Sequence, residues 1–408
     1  MVNQTFLAEA RLLQDQLLQH RRWLHSHAEI GFALEETKTY VKEALEAMGY
    51  PVTECGKAGL TATLGRPDGK VILLRADMDA LPMREESGLP FACPDGAAHT
   101  CGHDFHAAML LTAAKLLKEV PFRGTVKLMF QPAEEPLTGC RNMLEAGILA
   151  DPAPEAALAC HVSTGHAEPG LCLCNSSSTM MFSVDNFEIR IFGKGAHGAY
   201  PQHSVDPINI GVHIHLALQS LIARESAPTD ACALTIGQFE AGTALNIIPD
   251  RAVLRGSLRT NNRDAQEKLS RRLREVAEGT AAVFGGRAEV EILSSIPPLC
   301  CDGELTKELS GYVQELGITV RDGIEASASE DFALIAEKIP SVYFYLMAGF
   351  ADERGSFPAH NPKVLFHEDV LPLGAAAYAH CALRWLENRN RGSCRARDDI
   401  GTGSSLSF

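Results

Sequence analysis

One stretch, Val71-Ile72-Leu73-Leu74-Arg75-Ala76, constrains the fold more than any other. It is an almost unbroken apolar run, as expected of a strand covered on both faces. It ends at Asp77-Met78-Asp79. The pattern recurs twice: Thr125-Val126-Lys127-Leu128-Met129-Phe130 runs into Gln131-Pro132-Ala133-Glu134-Glu135, and a run at 156–160 ends at His161. Between them Ala107, Leu110, Leu111, Ala114, Leu117 and Val120 recur at helical spacing. Strands alternating with helices predict an α/β fold with a doubly wound, mainly parallel sheet. In such sheets sites form beyond the carboxyl ends of the strands. Three strand ends carrying acids or a histidine predict one shared site.

From about residue 182 the pattern changes. Phe187, Ile189 and Ile191 alternate with polar residues, and the order of elements to about 293 reads β-α-β-β-α-β. That is a ferredoxin-like α+β domain, inserted at 182–294. The α/β pattern then resumes, so 1–181 and 295–388 form one discontinuous catalytic domain. Residues 389–408 are rich in Arg, Gly and Ser and are expected to form a disordered tail. A chain of 408 residues, 46% hydrophobic, is large enough for two cores. Net charge is −14 and no basic run stands out, which argues against nucleic acid as a partner. No run of about 18 apolar residues predicts a membrane span. The N-terminus carries no charged and apolar leader, so a cytoplasmic location is expected. The twelve cysteines are scattered and contain no Cys-x-x-Cys pair, which argues against a zinc ribbon.

His99-Thr100-Cys101-Gly102-His103-Asp104-Phe105-His106 supplies the side chains that hold zinc and similar ions. Cys101 and His103 flank a glycine in a turn before a helix, so both can face one point. Glu134 and Glu135 repel each other, and a dication resolves this: one carboxylate binds metal while the other takes a proton from water. His161, level with the other strand ends, is a further candidate ligand. His360 sits in the Pro-flanked loop Pro358-Ala359-His360-Asn361-Pro362. Asp79 could orient a ligand histidine. In the inserted domain, Gly193-Lys194-Gly195-Ala196-His197-Gly198-Ala199 lacks the order of a nucleotide loop and leaves His197 exposed. Asn246 and Arg259 could contact a substrate carboxylate, Arg259 by paired hydrogen bonds.

These motifs together resemble one family. Arg75-Ala76-Asp77-Met78-Asp79-Ala80-Leu81-Pro82, the 99–104 stretch, Gln131 to Glu135, Gly195-Ala196-His197, Leu245-Asn246-Ile247-Ile248-Pro249, Ser329-Glu330-Asp331-Phe332 and His360-Asn361-Pro362 carry the likeness. The chain resembles the hippurate hydrolases, N-acyl-amino-acid amidohydrolases and indole-acetyl-amino-acid hydrolases of the aminoacylase-like zinc metallopeptidase clan. The resemblance implies two divalent ions, zinc or else manganese, cobalt or nickel. Cys101 would bridge them, with His103, Glu135, His161 and His360 as the other ligands. It implies Glu134 as general base and then acid, and a lid domain that joins two or four copies. The lid histidine matched by His197 would reach a neighbouring subunit's site, and Asn246 and Arg259 would lie near the substrate carboxylate. Ala196 and Gln202 depart from the usual lid sequence, which bears on substrate preference. The expected reaction is hydrolysis of the amide of an N-acyl amino acid. The rivals are a dipeptidase or N-acetyl-diaminopimelate deacetylase of the same clan, and a non-catalytic metal-binding interaction protein.

Overall fold

The computed structural model of the chain describes residues 5–66 and 68–398, with side chains described as far as residue 390. Helices α1 (Thr5–Leu12), α2 (Gln14–Ser26) and α3 (Glu35–Ala47) precede strands β1 (Val52–Cys55), β2 (Gly59–Gly65) and β3 (Val71–Asp77). Then come α4 (His103–Lys118), β4 (Thr125–Gln131), α5 (Gly139–Glu145), β5 (Ala156–Ser163) and β6 (Cys172–Cys174). The middle of the chain holds β7 (Thr179–Met181), β8 (Val184–Phe192), β9 (Ala196–His197), α6 (Pro207–Glu225), β10 (Cys232–Ala241), β11 (Ile247–Ile248), β12 (Arg251–Thr260), α7 (Arg263–Val283), β13 (Arg287–Ile296) and β14 (Leu299–Cys300). The last stretch holds α8 (Gly303–Glu315), β15 (Val320–Asp322), α9 (Ala333–Ala336), β16 (Ser341–Met347) and α10 (Leu371–Asp398). Two compact units result. One takes the chain up to Ser178, Cys301–Ile324 and the chain from Leu334 on; the other takes Thr179–Cys300 and Glu325–Ala333.

The first unit is built on an eight-stranded sheet in the order β1-β2-β4-β3-β5-β16-β6-β15. Its centre, β4-β3-β5-β16, is parallel, and the flanking pairs β1–β2, β2–β4 and β6–β16 are antiparallel. Strands β3 and β4 are buried along their whole length, which their apolar runs require. Their two long polar side chains are satisfied internally. Arg75 donates to Gln131 at 3.0 Å and to Asp77 at 2.7 Å. Lys127 donates to the carbonyls of Ala150 and Pro152. Helix α4 packs on β3 and against α10, so all of it except Lys115 and Lys118 is buried. Complete burial of Phe105, Leu110 and Leu111 contributes about 1.5–3 kcal/mol per side chain.

Three details differ from the sequence reading. Strand β5 does not end at His161, because Val162 and Ser163 keep pairing with Leu346 and Met347 of β16. Cys172 and Cys174, without a clear role in the sequence, form the short inner strand β6 and are buried. Helix α10 continues past residue 388 to Asp398. Its extension is held where Arg389 pairs with Glu308 at 2.6 Å and Asn390 donates to the Arg123 carbonyl at 2.8 Å. The rest of the expected tail, 399–408, lies outside the described residues.

The second unit has a four-stranded antiparallel sheet in the order β10-β12-β8-β13, with α6 and α7 packed on it. Its elements follow the β-α-β-β-α-β order. Alternation in β8 buries Phe187, Ile189 and Ile191 against Ile210, Ile214 and Leu218 of α6 and Leu269 and Leu273 of α7. The opposite face carries charges that pair, as Arg255 does with Glu188 at 2.6 Å. Both helices start on a side-chain cap. Asp206 accepts from the amides of Ile208 and Asn209, and Asn262 accepts from that of Ala265.

Candidate metal centre

The first unit brings Cys101, His103, Glu134, Glu135, His161 and His360 together. Gly102 makes this possible at the start of α4. Its φ is +91°, and a Cβ there would sit 2.4 Å from Val162 Cγ2, so glycine alone fits between the two donors. The donors fall into overlapping groups. Cys101, His103 and His161 form one, and Cys101, Glu135 and His360 form another; within each group the donor atoms lie within 4.8 Å of one another. A further group joins His103 to Glu134 and Glu135. Cys101 Sγ is 3.5 Å from His161 Nε2 and 3.3 Å from His360 Nε2. His360 Nε2 is 3.5 Å from Glu135 Oε1.

Those spacings suit a dication. Donors at about 2.3 Å (sulfur) and about 2.0–2.1 Å (nitrogen, oxygen) from one tetrahedral ion stand roughly 3.3–3.5 Å apart. Unpartnered atoms point the same way. Nε2 of His103 and Oε1 of Glu135 are buried without a hydrogen bond, an arrangement that is costly unless something binds there. The tautomers also fit. Nδ1 of His161 lies 2.6 Å from the Val162 carbonyl, which fixes the proton on Nδ1 and leaves the Nε2 lone pair facing Cys101. Burial pushes the Cys101 thiol and the Glu135 carboxyl up and His161 far down. His103 is held well above the usual histidine range, because Asp77, the Cys101 thiol and Asp79 together outweigh its burial. A dication held by this set would take the place of those protons.

The loop after β4 sets the two carboxylates. Asp79, fully buried, accepts the Glu134 amide on Oδ1 at 3.0 Å and the Glu135 amide on Oδ2 at 3.2 Å. The same Oδ1 lies 3.4 Å from His103 Nδ1. One carboxylate thus orients both the acid pair and a donor histidine. The turn closes through Gly139, where a Cβ would fall 1.6 Å from the Pro132 carbonyl. Ala133, Leu137 and His360 are the non-glycine residues with positive φ among those described, at 52°, 57° and 65°. All three lie in the loops that carry Glu134, Glu135 and His360. Such conformations cost of the order of 1–3 kcal/mol each and persist where the surroundings impose them.

Asp104 and His106 support the donors from behind through two buried arrangements, whose partners the sequence reading did not identify. In the first, His106 pairs with Asp77 through Nδ1, and its Nε2 accepts the Val162 amide at 2.8 Å. Its ring lies 4.3 Å from that of His161, so it braces the strand position beside a donor. Arg75 and His103 hold Asp77 ionised despite its burial. Asp104 anchors the second arrangement, in which Arg21 and His25 of α2 both reach its Oδ2 at 2.8 Å. The partners in these contacts lie 29 to 83 residues apart in sequence. No local spacing announces them.

The other expected site residues lie in the second unit. His197 pairs with Ile247 in the ribbon β9–β11, and Gly198 donates to the Asn246 carbonyl at 2.8 Å. His197 and Asn246 are thus neighbours on one exposed ribbon. Arg259 is set by Ser329, whose Oγ accepts its Nη1 at 2.7 Å, and by the Ser327 carbonyl at 3.3 Å.

Clustered thiol, imidazole and carboxylate donors beside a second carboxylate able to carry a proton are what a metal-dependent hydrolase requires. The chain belongs to peptidase family M20/M25/M40, whose sequence model matches residues 73–384. It is 35% identical over 380 residues to an N-acetylcysteine deacetylase of Bacillus subtilis, covering 91% of this chain and 97% of that protein. It is 36% identical over 396 residues to IAA-amino acid hydrolase ILR1-like 2 of Arabidopsis thaliana, covering 93% and 87%. A solved structure from Bacillus subtilis, described as a dinuclear metal-binding peptidase of the M20 family, superposes with a TM-score of 0.79. It is 33% identical and covers 92% of this chain and 99% of that one. As a member of the family the chain is a hydrolase, which sets aside the non-catalytic reading. No helix among the described residues is long and apolar enough to cross a membrane.

Proposed function

We propose that the protein is a two-metal amidohydrolase that cleaves N-acyl amino acids into a carboxylate and a free amino acid. The observation that carries this reading is the pair of donor groups sharing Cys101. Cys101, His103 and His161 would hold one ion and Cys101, Glu135 and His360 the other. Zinc suits the thiolate, and mixed nitrogen, oxygen and sulfur ligation also admits manganese, cobalt or nickel. Bound ions would polarise the amide carbonyl and make an attacking water more acidic.

Glu134 takes the proton of that water and returns it to the departing amine. Its turn, clamped by Asp79, keeps the carboxylate beside the donors without using it as a ligand. His197 of a neighbouring copy donates to the carbonyl oxygen as charge builds there. Arg259, its guanidinium already set by Ser329, pairs with the substrate carboxylate together with Asn246. Exposed Tyr200, Leu245 and Ile247 around His197 and Asn246 support a ribbon that is covered in the working enzyme.

A homodimer, or a tetramer built from it, is supported by the second unit. Strand β10 is an edge strand with unpaired backbone on one side. Phe239 on it and Ile208, Val212 and Leu216, one turn apart on α6, are exposed at 39–57%. A second copy of this chain would cover them. A cytoplasmic location is supported by the described cysteines, none of which forms a disulfide.

The test is hydrolysis of a panel of N-acetyl, N-benzoyl and indole-acetyl amino acids, with dipeptides and N-acetyl-diaminopimelate alongside. Acyl amino acids should be cleaved best, a chelator should abolish turnover, and one of the four metals should restore it. Glu134→Gln should keep the ions and lower turnover by about 10²–10⁴. Full activity in metal-free protein, or in Glu134→Gln, contradicts the proposal.

A further inference from the structure

Two stretches 259 residues apart must meet at Cys101 and His360, and the His360 side is weakly built. His360 has a half-exposed side chain and a φ of +65°. Its loop leans on residues 81–100: the His360 amide donates to the Thr100 carbonyl at 3.0 Å, and the Glu86 amide donates to the Pro362 carbonyl at 2.7 Å. Glu85, next to Glu86, turns inward, with only 3% of its side chain exposed. There it meets His25, whose Nε2 lies 3.0 Å from both Glu85 oxygens. Nδ1 of the same ring lies 2.8 Å from Oδ2 of Asp104, which directly follows His103.

Both nitrogens of His25 face carboxylates, so both donate and the ring is an imidazolium. Burial and the Arg21 guanidinium, whose Nη2 lies 3.4 Å from Nδ1, oppose that charge, and the bonds to Asp104 and Glu85 outweigh them. Arg21 completes the arrangement. It donates to Asp104 and to Glu368, with its guanidinium 4.8 Å from the Phe91 ring and 4.7 Å from the Phe105 ring. The buried charges are thus paired, and removing one partner would leave another exposed to the full cost of burial.

We propose that His25 is a positioning residue, a charged clamp that holds the loop supporting His360 against the start of α4, at His103 and the turn of Cys101 that precedes it. It touches none of the donors. It acts by fixing the distance between the two donor groups, so the inference rests on the two-metal reading above. Loosening the clamp should spare the Cys101–His103–His161 group and weaken the Cys101–Glu135–His360 group.

The test is zinc affinity by competition with a chromophoric chelator, on full-length wild type, His25→Leu, Glu85→Ala and Glu85→Gln. Glu85→Ala removes the loop's hold without touching α4, which guards against a misfolded His25 variant. The expected result is two tight ions in wild type. In His25→Leu and Glu85→Ala one ion should bind about 10–100-fold more weakly and the other within about threefold of wild type. Glu85→Gln keeps an acceptor for His25 and should recover most of the loss. Unchanged affinity for both ions in Glu85→Ala overturns the clamp. So does an equal loss at both sites that tracks a fall in melting temperature, because that marks a scaffold effect. A wild type that binds fewer than two ions overturns the two-metal reading itself, and the clamp with it.

Discussion

Asp79→Asn changes one atom and almost no volume, yet it should disable the acid pair. The wild-type carboxylate is fully buried and accepts two backbone amides, those of Glu134 at 3.0 Å and Glu135 at 3.2 Å. An asparagine offers one acceptor and one NH₂. Whichever way it turns, an NH₂ faces one of those amides and a bond is lost. A hydrogen bond to a charged group contributes about 1.5–3 kcal/mol, and the surviving bond weakens once its acceptor is neutral. A total near 2–4 kcal/mol corresponds to a loss of about 30- to 1,000-fold in rate, provided the turn must be in place when the proton moves. The assay is steady-state hydrolysis of the best N-acyl amino acid, with metal content measured on the same sample. The fall should appear in kcat more than in KM, because Asp79 holds the turn of the proposed base, Glu134, and not the substrate. A kcat within about threefold of wild type, at full metal content, would refute the role given to this carboxylate.

Cys101→Ala removes the donor common to both groups, so elemental analysis should show both ions lost or greatly depleted; an unchanged stoichiometry contradicts the shared role. His20 predicts a pH dependence of stability away from the site. Burial first, and the charge of Lys115 second, lower its pKa from 6.5 to about 4. The unfolded chain therefore binds a proton below about pH 6.5 that the folded chain refuses until about pH 4. Stability from this residue is complete above pH 6.5 and falls by about 1.4 kcal/mol per pH unit between those limits. Urea unfolding from pH 7 to 4.5 should give His20→Gln a shallower slope by one proton; equal slopes in the two proteins rule this out.

The sheet was legible because burial on both faces leaves little freedom in composition. Val71–Ala76 and Thr125–Phe130 read as strands for the reason they are strands. The alternation of β8 likewise marked a sheet with one covered face, and the change of pattern near residue 182 marked a second unit. The donors Cys101, His103, Glu134 and Glu135 were legible because short spacings put them side by side. His161 was placed at a strand end, yet it lies within β5, since the ladder with β16 runs two residues further and pairing partners cannot be read locally. The arrangement around Asp104 was not legible at all. Arg21 and His25 look like ordinary residues of a polar helix, and their meaning comes from Glu85, Asp104 and Glu368, which only the folded chain brings near. Of the three histidines in α2 and at its C-terminal end, His20, His25 and His27, His25 is the one that reaches from one donor-bearing segment toward another.

Because Cys101 belongs to both donor groups, the order of synthesis has a chemical consequence. Cys101, His103, Glu135 and His161 leave the ribosome about 200 residues before His360. At roughly 5–20 residues per second that interval lasts about 10–40 s. During it the nascent chain carries a thiol and two imidazoles able to capture an ion, and nothing to complete the second group. Whichever divalent ion is most available and binds most tightly can enter first. The metal found in the purified enzyme will therefore depend on the medium and the rate of expression as well as on the affinity of the finished site.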